Sequence, residues 1–329
     1  MKRVLGKSGI EVSAVGMGCW AIGGVWTFDG ASAGWSTVDN RESARAIHEA
    51  LDLGVTFFDT AAAYGCGHSE QVLGAALAGH RERVVVATKF GHDIDPETKN
   101  ATAYGASEEV SDVVPHMRSD LETSLSNLGT DYIDLYQLHV GALEIDRALL
   151  VRDELEQFVA EGKIRAYGWS TDRTDAAAAF SDGPGCASVQ QQLNIFDGNM
   201  ELLALCEKMD LASINRAPLG MGILTGKFTP TTEFSDDDVR STAQWFVGLE
   251  GGRPAQGWID ALDAVKEVLT SNGRTLAQGA LAWIWGKSDI TIPIPGFKTT
   301  AQVRENAGAM ALGPLSSSQM MEIDSILGR

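Results

Sequence analysis

Short apolar segments of strand length alternate along this chain with segments whose apolar residues recur at helical spacing. The short segments are rich in Val, Ile and aromatic residues, and several are near-continuously apolar, which is typical of parallel strands buried on both faces. Eight of them are predicted as strands: Val15–Gly18, Thr56–Asp59, Val84–Thr88, Ile133–Leu138, Ala166–Trp169, Ser188–Leu193, Ala212–Arg216 and Ile290–Pro293. This alternation restricts the chain to βαβ units, closed as a (β/α)8 barrel or opened as a doubly wound sheet.

The glycine pattern favours the closed barrel. No Gly-x-Gly-x-x-Gly follows any predicted strand, although an open dinucleotide-binding sheet would need one there. No linker or repeat divides the chain, so we expect a single barrel domain over residues 1–329. The expected fold class is therefore α/β, a (β/α)8 TIM barrel.

Three segments are predicted as additions to this barrel. Val4–Leu5 and Glu11–Val12 around Ser8-Gly9 predict an N-terminal β-hairpin that plugs the barrel floor. Gly91–Val113 and Thr229–Gly257 are polar or aperiodic and predict long loops, which in a compact domain usually serve a site.

The pair Asp39-x-x-Glu42 predicts a capping box at the start of a helix.

Charge and cysteine content argue against several classes of partner. The chain has 44 acidic and 26 basic residues, a net charge of −18, which repels nucleic-acid phosphates and anionic lipid surfaces. We find neither a secretory signal nor a run near the ~18 apolar residues of a membrane span, so a cytoplasmic location is expected. The four cysteines lie far apart without metal-ligand spacing, so we predict neither disulfides nor a metal site.

Four side chains able to do acid–base chemistry follow predicted strands. Asp59 ends the second strand with Tyr64 five residues later, Lys89 follows the third strand, and His139 follows the fourth. The active groups of barrels come from the carboxyl ends of the strands, so we expect these four side chains at one rim. Burying such groups for packing alone would be costly, which favours a functional role.

The chemistry of the set is coherent. A phenol has a pKa near ~10, and an adjacent ammonium such as that of Lys89 lowers it while the Asp59 carboxylate holds the ammonium in place. Tyr64 could then protonate a carbonyl oxygen as a hydride arrives, with His139 donating a hydrogen bond to the same oxygen. A lyase or isomerase that uses Lys89 as a Schiff base remains an alternative.

These segments resemble the aldo-keto reductase family. Tyr64-Gly-Cys-Gly-His-Ser69-Glu70 is similar to that family's "YG.G.SE" element, and Tyr136-Gln-Leu-His139 is similar to its "Y.LH" strand end. The resemblance extends from about residue 4 to Asn306. It implies a (β/α)8 barrel and a catalytic tetrad of Asp59, Tyr64, Lys89 and His139.

The resemblance also implies an NADP(H) site at the strand ends. Residues 168–171 stand where the family has "GVSN", residues 218–227 resemble "PL..G.LTGK", and residues 292–306 resemble "IPG....Q..EN". Lys298 would meet the 2′-phosphate, which favours NADPH over NADH. The implied cofactor contacts are Gly18, Trp20, Asp59, Ser170, Thr171, Gln190, Arg216, Pro218, Leu219, Gly220, Gly222, Leu224, Thr225, Lys227, Gly296, Phe297, Lys298, Gln302, Glu305 and Asn306.

Two positions depart from the family pattern. Thr171 replaces an Asn, which turns an amide contact into a hydroxyl contact, and Arg216 replaces an aromatic residue. Arg216 could stack on the nicotinamide or bind a cofactor phosphate. We expect Trp20, Trp26 and Phe90 to wall a pocket for a small or medium apolar carbonyl substrate.

The sequence thus predicts an NADP-dependent reductase that converts an aldehyde or ketone to an alcohol, reversibly, with Tyr64 as general acid. Because barrels of this family also serve as regulatory subunits of potassium channels, the alternative is a redox-sensing NADP(H)-binding subunit with little turnover.

Overall fold

A curled sheet of eight parallel strands forms the centre of the computed structural model, which describes residues 1–104 and 112–329. The strands are β1 (Met17–Gly18), β2 (Phe57–Asp59), β3 (Val85–Phe90), β4 (Ile133–Leu138), β5 (Ile164–Ser170), β6 (Cys186–Asn194), β7 (Ala212–Arg216) and β8 (Thr291–Pro293). The amides of Gly16 and Gly18 donate to the carbonyls of Pro293 and Pro295 at 3.0 Å each, which brings β1 beside β8. The predicted (β/α)8 barrel and its eight strands are confirmed.

Helices follow the strands in the chain and cover the outside of the sheet. They are α1 (Asn40–Asp52), α2 (His68–Ala76), α3 (Met117–Leu128), α4 (Ile145–Ala160), α5 (Thr174–Phe180), α6 (Met200–Lys208), α7 (Gln256–Leu269), α8 (Leu276–Lys287), α9 (Thr300–Leu312) and α10 (Ser317–Ile326). The side chain of Asp39 caps α1 by accepting from the Arg41 amide at 2.9 Å. The predicted capping box is wrong, because the Glu42 carboxylate instead accepts from the Thr300 amide of α9 at 3.0 Å.

The N-terminal hairpin closes the floor of the barrel, as predicted, with strands at Lys2–Val4 and Glu11–Ser13. Its residues Leu5, Ile10 and Val12 are buried with inward-facing strand residues such as Phe57 and Ile214. Gly6 has a φ of +45°, and a Cβ on it would lie 2.5 Å from the Asp210 carbonyl oxygen. The hairpin therefore sits directly on the barrel backbone and needs glycine at this position.

A small four-stranded sheet covers the opposite end of the barrel, and we call it the mouth sheet. It contains Thr27–Phe28, Ala31–Ser32, His92–Asp95 and Asn100–Ala103. The prediction of a loop at Gly91–Val113 is wrong for its first half, because residues 92–103 form an antiparallel hairpin. Residues 105–111 of that segment lie outside the described part of the chain.

The second predicted loop is largely irregular and packs beside the same end of the barrel. Short turns interrupt it at Val239–Ser241, and Leu249–Glu250 pairs with Arg253–Pro254. It ends where α7 begins, at Gln256. In the parts of the chain that the structure describes, no helix combines the length and apolar character needed to cross a membrane.

Candidate active site

A carboxylate, an ammonium and a phenol form a buried chain at the carboxyl ends of β2 and β3. Lys89 Nζ donates to Asp59 Oδ1 at 2.5 Å and to the Thr60 carbonyl oxygen at 2.8 Å. The same Nζ lies 3.2 Å from Tyr64 Oη. The side chain of Lys89 has no exposed surface. A charge this deep in the barrel needs the partners that Asp59 and Thr60 supply.

Two glutamines hold the other oxygen of Asp59. Gln137 Nε2 donates to Asp59 Oδ2 at 3.0 Å, and Gln190 Nε2 donates to it at 2.8 Å. Sequence analysis missed Gln137, although its inward position on β4, two residues before His139, was a readable signal. Gln190 is one of the implied cofactor contacts, and its amide nitrogen binds Asp59.

The turn that carries Tyr64 is fixed by close backbone contacts. Gly65 has a φ of +64°, and a Cβ on it would lie 2.1 Å from the Gly23 carbonyl oxygen. The Ser69 hydroxyl at the start of α2 donates to the Cys19 carbonyl at 2.8 Å. These contacts tie the segment after β2 to the segment after β1, so the backbone on both sides of Tyr64 is held.

Burial and the Lys89 ammonium act in opposite directions on the pKa of Tyr64. Burial raises the pKa of its phenol, although the Lys89 ammonium lowers it as the sequence predicted. The net direction is upward, so the expectation of a lowered pKa is wrong. For Lys89, burial would lower the pKa, but the ion pair with Asp59 and the contact with Tyr64 outweigh it and raise the pKa.

His139 stands edge-on to Tyr64, with the ring centroids 5.8 Å apart. Burial, and then the neighbouring His92 and Lys89, hold its pKa well below the usual range. The imidazole is therefore neutral at pH 7, and its Nδ1 has no hydrogen-bond partner among the described residues. A neutral imidazole in this place can donate one hydrogen bond to a carbonyl oxygen.

A recess of about 280 Å³ opens between the mouth of the barrel and the 229–257 loop. Many of the implied cofactor contacts line it: Gly18, Trp20, Arg216, Pro218, Leu219, Gly222, Thr225, Lys227, Gly296, Phe297, Lys298, Gln302, Glu305 and Asn306. The structure thus brings together segments that are separated by almost the whole chain.

The remaining implied cofactor contacts do not line this recess: Asp59, Ser170, Thr171, Gln190, Gly220 and Leu224. The Thr171 hydroxyl donates to the Gly141 carbonyl at 2.8 Å, so it is used in tying the end of β5 to the loop after β4. Leu224 is fully buried in the main core, and Gly220 turns the chain with a φ of +54°. These last two residues shape the loop from inside.

Four cationic side chains line the recess: Arg216, Lys227, Arg240 and Lys298. Burial lowers the pKa of Lys298 and of Lys227, and the Arg240 guanidinium lowers both further. Arg216 is already paired with Asp172 and bonds Gln192 Oε1 at 3.1 Å. Four cations therefore lie close together and partly buried in a chain whose net charge is −18. Such a cluster fits a polyanionic ligand such as a phosphorylated dinucleotide.

Arg240 was missed by sequence analysis. Its guanidinium pairs with Asp238 at 2.6 Å and lies 4.2 Å from the ring centroid of Phe234 and 4.8 Å from that of Trp35. The length of the surrounding loop predicts that it serves a site, but its lack of periodicity provides no means of choosing one residue.

Aromatic side chains wall the space around Tyr64. Trp20 stacks on Tyr64 at 6.0 Å, and Trp26 lies at 6.4 Å from it. Phe90 is placed elsewhere: it stacks on Tyr136 at 4.4 Å in the layer between strands and helices. Side chains alternate along β3, so the inward position of Lys89 forces Phe90 outward.

Comparison with known proteins identifies the family of this chain. The sequence model of the Aldo/keto reductase family matches residues 14–328. The chain belongs to the aldo/keto reductase family. As an aldo-keto reductase, it is an oxidoreductase of the class that interconverts carbonyl compounds and alcohols with a nicotinamide cofactor.

Relatives of this aldo-keto reductase differ in their coenzymes and substrates. It is 30% identical to aldo-keto reductase YhdN of Bacillus subtilis, over 98% of this chain and 92% of that protein. It is 31% identical to the NADH-specific methylglyoxal reductase of Escherichia coli over the full length of both.

Solved structures show the same likeness. The glycerol dehydrogenase of Gluconobacter oxydans superposes with a TM-score of 0.79 at 30% identity, covering 97% of this chain and 93% of that one. An aldo/keto reductase of Klebsiella pneumoniae in complex with NADP and acetate gives a TM-score of 0.67 at 25% identity, covering 99% and 95%.

Proposed function

We propose that this aldo-keto reductase reduces a small aldehyde or ketone with NADPH and that Tyr64 is the proton donor. One observation carries the proposal. Tyr64 Oη lies 3.2 Å from a buried ammonium that is itself paired with Asp59, beside two tryptophans and a cation-lined recess.

Each member of the tetrad has a distinct task. Tyr64 gives its proton to the carbonyl oxygen, and the phenolate that remains is stabilised by the Lys89 ammonium. Asp59 and its two glutamine donors keep that ammonium in position. The neutral His139 donates a hydrogen bond to the same oxygen and so stabilises the charge that develops on it.

NADPH, when bound, supplies the hydride that reduces the carbonyl carbon, and NADP⁺ and the alcohol are the products. Lys298, with Arg240 close to it, would hold the 2′-phosphate, which is why we propose NADPH rather than NADH. The segment 218–227 and the start of α9 would hold the pyrophosphate and the adenine. Because one relative is NADH-specific, the coenzyme has to be measured directly.

The test uses methylglyoxal and glyceraldehyde as probe substrates, with oxidation of NADPH or NADH followed by absorbance. Tyr64→Phe should lower turnover by about 100-fold or more, because the general acid is lost. It should still bind NADPH, measured as quenching of the tryptophans that line the recess. Tyr132→Phe, a change outside the site, is the matched control.

Two results would contradict the proposal. Turnover that survives in Tyr64→Phe would remove the phenol from its role. Tight NADPH binding by the unmodified protein without reduction of any carbonyl would support the slow regulatory subunit instead.

A further inference from the structure

His92 is a second imidazole beside the proposed site. It begins the mouth-sheet strand His92–Asp95. Residues 92 and 94 of this strand are half-buried, whereas Asp93 and Asp95 are exposed. Ile94 packs against the cluster that contains Tyr64. Because side chains alternate along a strand, His92 faces the same side as Ile94.

The ring of His92 meets the ring of His139. Their centroids are 4.8 Å apart at 76°, and His139 in turn stands 5.8 Å from Tyr64. The three rings thus form a row that starts at the proton donor and ends at the mouth sheet. Sequence analysis gave His92 no role, because the segment was expected to be a loop.

The hydrogen bonding of the two imidazoles is incomplete. Within residues 1–104 and 112–329, neither Nδ1 has a partner, and both are shut off from water. As whole residues, His92 and His139 are nevertheless half-buried, so a small molecule beside Tyr64 can approach them. Burial lowers the pKa of His92 to about 4, so at pH 7 the ring is neutral with one donor and one acceptor.

We infer that His92 is a specificity-determining residue that binds a second, uncharged oxygen of the substrate, on the carbon next to the reacting carbonyl. This inference rests on the proposed function, in which Tyr64 and His139 hold the carbonyl oxygen. His92 is the next polar group along the row, so an oxygen on the adjacent carbon is the one within its reach. The preferred substrates are therefore 2-hydroxy- and 2-oxo-carbonyl compounds.

The lack of positive charge at this end of the row decides against a carboxylate. His92 and His139 are both neutral, and the charged group that acts on the pKa of His92 is the Asp29 carboxylate, whereas Lys89 and Arg216 act on His139. A carboxylate here would lose its water without gaining an ion pair. A hydroxyl or oxo group gains hydrogen bonds at little cost.

His92 also packs edge-on against Phe28, with the centroids 5.2 Å apart, so a test has to keep this ring contact. His92→Phe retains an aromatic ring and removes both nitrogens. His92→Gln retains a donor and an acceptor. His80→Phe, at a half-buried histidine after α2, is the matched control.

The experiment compares lactaldehyde with isobutyraldehyde, which differ by a hydroxyl in place of a methyl group. We expect the unmodified protein to favour lactaldehyde in kcat/KM by about tenfold or more. In His92→Phe the ratio should fall towards one through loss of lactaldehyde activity, with isobutyraldehyde changed less than about threefold. His92→Gln should restore part of the ratio, and His80→Phe should leave it unchanged.

Three results would overturn the inference. The unmodified protein could reduce both aldehydes equally, His92→Phe could keep the full ratio, or it could lose both activities together, as a purely structural residue would. All three leave the reductase function standing. If neither aldehyde is reduced although methylglyoxal is, this inference fails alone. If no carbonyl compound is reduced with NADPH or NADH, the proposed function fails, and this inference fails with it.

Discussion

Lys89 Nζ lies 3.2 Å from Tyr64 Oη, and the side chain of Lys89 has no exposed surface. A positive charge at this distance favours the phenolate, and burial of the phenol opposes it. The two residues therefore form one acid–base unit, in which the ammonium reduces the cost of giving up the proton.

Lys89→Met should slow carbonyl reduction by about 100-fold and alcohol oxidation by more, because oxidation needs the phenolate as a base. The ammonium lowers the pKa of Tyr64, so its removal should shift the alkaline rise of the oxidation rate to higher pH. Steady-state pH profiles in both directions check this. An unshifted oxidation profile would contradict the prediction.

The fold of that variant needs its own control, because Lys89→Met leaves the Asp59 carboxylate buried without its ion-pair partner. The double variant Asp59→Asn/Lys89→Met removes both charges and should melt at a higher temperature than Lys89→Met alone. If the double variant is also slow in reduction, the loss of rate comes from chemistry and not from unfolding.

Lys298→Ala should weaken NADPH binding by about tenfold or more, the loss expected for a charge-assisted contact to phosphate. NADH binding should change by less than about twofold, since NADH lacks the 2′-phosphate. Fluorescence titration with both coenzymes measures this. Lys266→Ala, at an exposed lysine of α7, is the control, and equal weakening of both coenzymes would refute a 2′-phosphate role.

Asp120 on α3 should make the folded protein less stable as the pH rises. Burial raises the pKa of Asp120 to about 7, while Tyr104 donates to Oδ1 at 3.3 Å. An unfolded aspartate has a pKa near ~3.9, so the folded state holds an extra proton between about pH 4 and pH 7. The stability that this proton gives is present at low pH and is lost as the pH rises through 7.

Relative to the unmodified protein, Asp120→Asn should therefore raise the free energy of unfolding more at pH 8 than at pH 5, where the folded carboxyl is still protonated. Urea unfolding at both values checks this. Asp263→Asn, at an exposed aspartate of α7, should show no such pH dependence. If Asp120→Asn is less stable than the unmodified protein at pH 8, the folded state tolerates Asp120 in its ionised form.

Asp134 in β4 holds two arginines and a neighbouring strand. Its fully buried carboxylate pairs with Arg81 at 2.7 Å and Arg165 at 2.6 Å, and it accepts from the Val86 amide at 2.9 Å. Asp134→Ala should lower the free energy of unfolding by about 3–5 kcal/mol, because it leaves the Arg81 charge without a partner.

Urea unfolding measures this loss, with the exposed Asp131→Ala as the control. Coenzyme binding per folded molecule should be unchanged, because Asp134 lies near the start of β4, away from the carboxyl ends. A loss below about 1 kcal/mol would mean that the pair contributes no more than a surface ion pair.

The sequence was most informative where burial and function act through single strands. β4 and β7 have the predicted bounds, and nearly every residue of both strands is buried, as is typical of parallel strands covered on both faces. The side chains of Asp59, Lys89 and His139 stand out because polar groups at the ends of such runs are costly.

Features that depend on contacts between distant segments could not be predicted from the sequence. The strand Thr27–Phe28 is two residues long and exists because it pairs with Asn100–Ala103. The pKa of Tyr64 depends on burial by the same sheet, and no local pattern encodes that burial. Arg240 lies in a loop without periodicity and reaches the recess only through the packing of that loop.

The mouth sheet joins two insertions that leave the barrel after different strands. Thr27 Oγ1 bonds Asn100 Oδ1 at 2.8 Å, and the Thr27 amide donates to the Lys99 carbonyl at 2.9 Å. If one insertion were exchanged for that of a homologue, the backbone donors and acceptors of the other insertion would lose their hydrogen-bond partners. The two segments should therefore be inherited and recombined as a pair, and chimaeras that trade both together should retain their fold where single grafts fail.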